Sequence, residues 1–91
     1  MLDTRTTTLT IVYLARLREA FGRSDEDWPL DAGDTTVAAI IDALRARGGT
    51  WAGELAAGRA VRIAVNQVMA TPATRVRAGD EVALFPPVTG G

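Results

Sequence analysis

A chain of 91 residues with 47% hydrophobic content and a net charge of −1 fits one domain and leaves no room for a second. It has no cysteine, histidine or lysine, and all ten basic residues are arginine. That excludes disulfides, thiolate or imidazole metal sites, a Ser–His–Asp triad, a Schiff base and an internal lysine acceptor. The charge balance argues against a nucleic-acid partner. No apolar run approaches the roughly 18 residues of a membrane span, and the opening MLDTRTTT lacks the order of a signal peptide. The expectation is a cytoplasmic protein with no membrane, nucleic-acid or metal partner.

The first element is TLTIVYLA, a β-branched run with Leu9, Ile11 and Tyr13 on one face and Thr10, Val12 and Leu14 on the other. It predicts a strand that is apolar on much of both faces. Leu14, Leu17 and Phe21 then have helical spacing up to Gly22, which predicts a short helix of about two turns. The acidic run Asp25, Glu26, Asp27 reads as a solvated turn, with DWPLDA as a short second strand that Pro29 confines to an edge. Asp34, Thr35 and Thr36 offer cap oxygens to the clearest element, in which Val37, Ile40, Ile41 and Leu44 follow amphipathic helical spacing. Arg45 and Arg47 suit its C-terminal end, and Gly48–Gly49 is expected to stop it.

Trp51 and Leu55 suggest a loose helical turn. RAVRIAVNQ alternates, with Val61, Ile63 and Val65 inward and Arg62, Ala64 and Asn66 outward, as in a half-buried strand. A turn at NQ, a short strand in VMATPATRV, a turn at Gly79–Asp80 and a last strand complete the body. In that strand Val82 and Leu84 share one face, and Ala83 and Phe85 the other. One main helix on a mixed sheet is α+β, and the β-grasp (ubiquitin-like) arrangement satisfies the order best. The first and last strands are the most apolar and are expected to be neighbours. The body is expected over 7–86, with 87–91 as an extended, flexible C-terminal tail within a single domain, 1–91.

The ending FPPVTGG carries the functional reading. Pro86 and Pro87 lack N–H groups and have a fixed φ, so they cut the last strand short and launch the chain away from the sheet. Five residues from Pro87 reach roughly 16–18 Å when extended. A glycine pair packs against nothing, and it helps only where backbone must enter a narrow space. The group delivered there is the carboxylate of Gly91, which is ionised at neutral pH and must be activated before acyl transfer. No phosphate-binding loop and no lysine is present to hold ATP, so activation falls to a partner.

GDEVALFPPVTGG (79–91) closely resembles the C-terminus of the MoaD branch of the MoaD/ThiS family, the small sulfur-carrying subunits of molybdopterin synthase. AVNQ (64–67) and YLARLREAFG (13–22) look like further family signatures, so the resemblance spans Leu9 to Gly91. It implies a β-grasp fold and a cycle. An E1-like adenylating enzyme uses ATP to form an acyl-adenylate on Gly91, and a sulfur donor converts this to a thiocarboxylate. The large subunit then takes the tail, and sulfur passes to cyclic pyranopterin monophosphate in molybdenum cofactor biosynthesis. The family assembly is a heterotetramer whose active site lies on the large subunit, and no cofactor is bound permanently by the small one. The site residues so implied are Gly91 and Gly90 for the chemistry, and Leu84, Phe85, Pro86, Pro87, Val88 and Thr89 for partner contact. Arg62, Arg75 and Arg77 read as solvated surface, with pairing to acidic partner groups as the sharper alternative. The competing functions are a carrier for another pathway (thiamine thiazole or tungsten cofactor), a ubiquitin-like protein modifier, and a binding module with an inert tail.

Overall fold

The computed structural model describes residues 7–30 and 34–87. Strand β1 (Thr8–Tyr13) buries Leu9, Ile11 and Tyr13 and leaves Thr8, Thr10 and Val12 half-buried on its other face. The period-two alternation of the sequence is kept throughout. Helix α1 (Arg16–Phe21) starts later than the spacing from Leu14 suggested. Ala15 takes a positive φ of 52°, so the chain turns sharply there. Leu14 therefore stays at the end of the strand, 42% exposed, while Leu17 enters the core. Gly22, left-handed at φ 70°, closes α1 by donating its N–H to the Arg18 carbonyl.

Strand β2 (Asp25–Pro29) pairs antiparallel with β1, with Ile11 opposite Glu26 and Leu9 opposite Trp28. This corrects the reading of Asp25, Glu26 and Asp27 as a turn. Alternation leaves Asp25, Asp27 and Pro29 in solvent and half-buries Glu26 and Trp28. β2 is an edge, so it tolerates both proline and charge.

Asp34–Thr36 does more than cap. It forms β3, which pairs with β6 (Arg75–Arg77), a strand the sequence pattern did not reveal; Thr35 faces Val76. Thr36 also caps α2 (Val37–Arg45), its Oγ1 accepting from the Ala39 N–H at 3.2 Å. Val37, Ile40 and Leu44 are buried, and Ile41 is packed at the margin. The helix ends at Arg45, ahead of the glycine pair. Gly48 and Gly49, both at positive φ, instead turn the chain into α3 (Gly49–Glu54), from which the buried Leu55 follows.

Strands β4 (Arg62–Val65) and β5 (Val68–Ala70) form a hairpin across Asn66 and Gln67. These two have φ of 51° and 70°, the left-handed pair that matches the twist of the flanking strands. The last strand, β7 (Glu81–Phe85), lies in the centre of the main sheet, whose order is β2-β1-β7-β4-β5. It runs parallel to β1 and antiparallel to β4. The three helices lie over one face, where their apolar side chains meet those of β1, β4, β6 and β7 in one core. A mixed sheet wrapped on one main helix is the β-grasp fold.

Candidate functional site

The C-terminal segment leaves from the middle of the molecule. β7 is bonded on both sides, with Leu84 opposite Tyr13 of β1 and Ile63 of β4. Val82 and Leu84 are fully buried. That corrects the assignment of Leu84 to partner contact: it is part of the core and presents nothing to a partner. Phe85 points to the opposite face and is half-buried. Pro86 and Pro87 are also half-buried, outside any strand, as the missing N–H groups require. The expected contact residues Val88 and Thr89, and the reactive pair Gly90 and Gly91, lie outside the described residues.

Two surfaces meet at this root. One is a cleft of about 200 Å³ lined by Pro86, Pro87, Arg16, Leu17, Glu54, Arg59, Ala60 and Val61. The Glu54 carboxylate spans it, with Oε2 accepting from Arg16 at 3.0 Å and Oε1 from Arg59 at 3.1 Å. The other is the sheet face that none of the helices among the described residues covers. There Val12, Ala83, Ala64 and Met69 form one cross-strand row through four strands, and Phe85 stands beside it opposite Arg62. Met69 is 59% exposed. Leu14 joins the patch at the end of β1, its N–H donating to the Leu84 carbonyl at 3.1 Å. The sequence reading found Phe85 but missed Val12, Ala64, Ala83 and Met69, because the strand pairing that aligns them is not visible along the chain. Of the arginines singled out earlier, Arg75 is held by Asp34 at 2.7 Å within the molecule, while Arg62 and Arg77 are exposed.

The ionised groups near the core serve structure. Glu26 accepts from the buried Tyr13 hydroxyl and, in a fork, from both terminal nitrogens of Arg47 at 2.9 and 3.0 Å. Burial pushes its carboxyl up, but hydrogen bonds from Arg47 and Tyr13, with the Arg47 and Arg23 charges, bring it below its ordinary value. Burial, then the bond to Glu26, raises the Tyr13 hydroxyl far above its ordinary value. Arg47 lies over the Trp51 ring at 4.5 Å, and Trp51 stacks on Phe21. The AVNQ stretch is also architectural. Asn66 donates to Asp80 at 3.1 Å and accepts from the Glu81 N–H at 3.0 Å, which pins the hairpin to the start of β7. Among the described residues, no group of three or more acidic side chains is arranged to hold a metal, and no helix is long and apolar enough to cross a membrane.

Residues 11–91 match the model of the ThiS family. The chain is 35% identical over 83 residues to the molybdopterin synthase sulfur carrier subunit of Haemophilus influenzae, covering 91% of this chain and 99% of that one. Among solved structures it is similar to the HVO 2177 protein of Haloferax volcanii, at 30% identity and a TM-score of 0.77 over 100% of this chain and 92% of that one. It is also similar to SAMP1, the small archaeal modifier protein 1 of the same organism, at 28% identity and a TM-score of 0.71 over 92% and 99% of the two chains. A β-grasp body whose central last strand runs into FPPVTGG, with this likeness over nearly the whole length, makes the chain a member of the ThiS family of sulfur carriers.

Proposed function

We propose that this protein is the small subunit of molybdopterin synthase and carries sulfur as a thiocarboxylate on Gly91. The observation that carries the reading is the pairing of a central strand stopped by Pro86–Pro87 with a glycine pair four residues further on, in a chain 35% identical to a molybdopterin synthase sulfur carrier subunit. An E1-like adenylating partner supplies ATP. The Gly91 carboxylate attacks the α-phosphate, pyrophosphate leaves, and an acyl-adenylate forms. A donor delivering sulfur at the hydrosulfide level then displaces AMP. The large subunit docks on the uncovered sheet face around Phe85, takes the tail into its own active site, and receives the sulfur for cyclic pyranopterin monophosphate. Two small subunits flank a large-subunit dimer. The body contributes placement: threading a tethered tail raises the effective concentration of its sulfur.

The test is intact mass after incubation with ATP, the adenylating enzyme and a sulfur donor. One oxygen exchanged for one sulfur at Gly91, followed by pterin conversion once the large subunit is added, is the expected outcome. An unchanged mass refutes it. Deleting Gly90 and Gly91 abolishes the exchange and leaves thermal unfolding unaltered.

The similarity to SAMP1 favours a second reading, a protein modifier joined to target lysines through the same activated carboxyl. ATP-dependent conjugates in an extract, without pterin conversion, identify that role.

A further inference from the structure

Three arginines from three separate parts of the chain stand around the point where the chain leaves the sheet. Arg16 is on α1, Arg59 is in the segment between α3 and β4, and Arg62 opens β4 opposite Phe85. Arg16 and Arg59 line the cleft at Pro86–Pro87 and share the single carboxylate of Glu54, one oxygen each. Glu54 is well shielded, at 17% exposure, whereas the side chains of Arg16 and Arg59 are 60% and 47% exposed. Among the described residues no acidic side chain pairs with Arg62. Among the described residues the root therefore bears three guanidinium charges against the one carboxylate that pairs there, in a chain whose net charge is −1. Each guanidinium carries five donors in a planar fork, and only one donor of Arg16 and one of Arg59 is engaged with Glu54.

We propose that Arg16, Arg59 and Arg62 form a collar that docks against carboxylates on the rim of the channel that receives the tail in the large subunit. The inference rests on the carrier reading above and adds the chemistry of the partner's rim. Arg62 adjoins the apolar row, opposite Phe85, and Pro86 and Pro87 lead from Phe85 to the cleft that Arg16 and Arg59 line, so one partner covering the row and the root meets all three. A phosphate on activated Gly91 is the less apt occupant: four residues beyond Pro87 extend roughly 13–14 Å, which carries an extended terminus well away from the root. Glu54 holds the two forks apart and oriented, and partner carboxylates take the donors it leaves. Arginine also suits the position because a guanidinium stays charged at neutral pH and is not an acyl acceptor there, while an amine beside an activated tail would be.

The test measures association of the full chain with the purified large subunit by stopped-flow fluorescence at two ionic strengths. Arg16→Glu/Arg59→Glu and Arg62→Glu are each expected to slow association about tenfold at low salt, with dissociation little changed and the difference gone near 1 M salt. Arg16→Gln/Arg59→Gln, which avoids crowding carboxylates around Glu54, is expected to slow it about threefold. Arg77→Glu, on β6, is expected to stay within twofold of wild type. If the chain gains sulfur at Gly91 yet the collar variants, folded by thermal unfolding, associate as fast as wild type, the collar is overturned and the carrier reading stands. If the wild-type chain neither gains sulfur nor binds the large subunit, the carrier reading falls and the collar falls with it.

Discussion

Replacing Glu26 by alanine perturbs a place where a charged side chain supports the core. Two costs follow. The Tyr13 hydroxyl, buried within the fold, loses the acceptor it donates to, and an orphaned buried polar group costs about 1–3 kcal/mol. The fork to Arg47 is lost as well, and because Arg47 is 32% exposed its share is only about 1 kcal/mol. The sum is about 2–4 kcal/mol, a large part of the roughly 5–14 kcal/mol expected of a domain this size. At about 4–8 °C per kcal/mol, the midpoint of thermal unfolding falls by at least ~8 °C. Urea unfolding followed by tryptophan fluorescence gives the free energy directly, since Trp28 and Trp51 both lie against Arg47. The decisive comparison is the same substitution in a Tyr13→Phe background. With the hydroxyl already gone, Glu26→Ala should cost only about 1 kcal/mol, leaving a coupling of about 1–3 kcal/mol. Equal costs in the two backgrounds would refute the claim that Glu26 serves Tyr13.

Acid unfolding reports the same group. Its folded-state pKa lies below the ordinary 4.5, so the stability it contributes is present above 4.5 and is lost as pH falls through the depressed value; Glu26→Gln should flatten that part of the curve. At the alkaline end Tyr13, raised by burial above its ordinary 10.0, makes stability decline as pH climbs past 10, and Tyr13→Phe should remove that decline. Leu84→Ala and Phe85→Ala separate core from contact. The first should cost about 2–5 kcal/mol in urea titrations, while the second should weaken large-subunit binding in calorimetry with a much smaller loss of stability. Asn66→Ala removes two hydrogen bonds and puts alanine at φ 51°; a loss of about 1–3 kcal/mol is expected by differential scanning calorimetry.

The elements that depend on local pattern were legible along the chain. β1, α2, β4 and β7 each carry a clean two- or 3.6-residue period, and the most apolar strands did prove to be parallel neighbours. What escaped notice depends on pairing. Asp25–Asp27 looks like a turn because its charges advertise solvent, yet an edge strand needs only alternate positions covered, and Glu26 gains partners from β1 and from the residues after α2. β3 and β6 are three residues each, too short to show a period, and they exist because each completes the other. Leu14 has helical spacing to Leu17, but the turn at Ala15 breaks the geometry that spacing assumes. At the site, Pro86–Pro87 marked where the last strand stops, and alternation left open which of Leu84 and Phe85 faces inward. Glu54 drew no attention in the sequence, since its role is defined by two arginines, one 38 residues before it and one 5 after.

The position of β7 also determines how the molecule bears load. A pull on the C-terminus acts along a strand fastened to a neighbour on either side. Extracting it means shearing two ladders at once, whereas an edge strand is held by only one. Tension applied beyond Pro87 therefore meets a firm anchorage in the middle of the sheet.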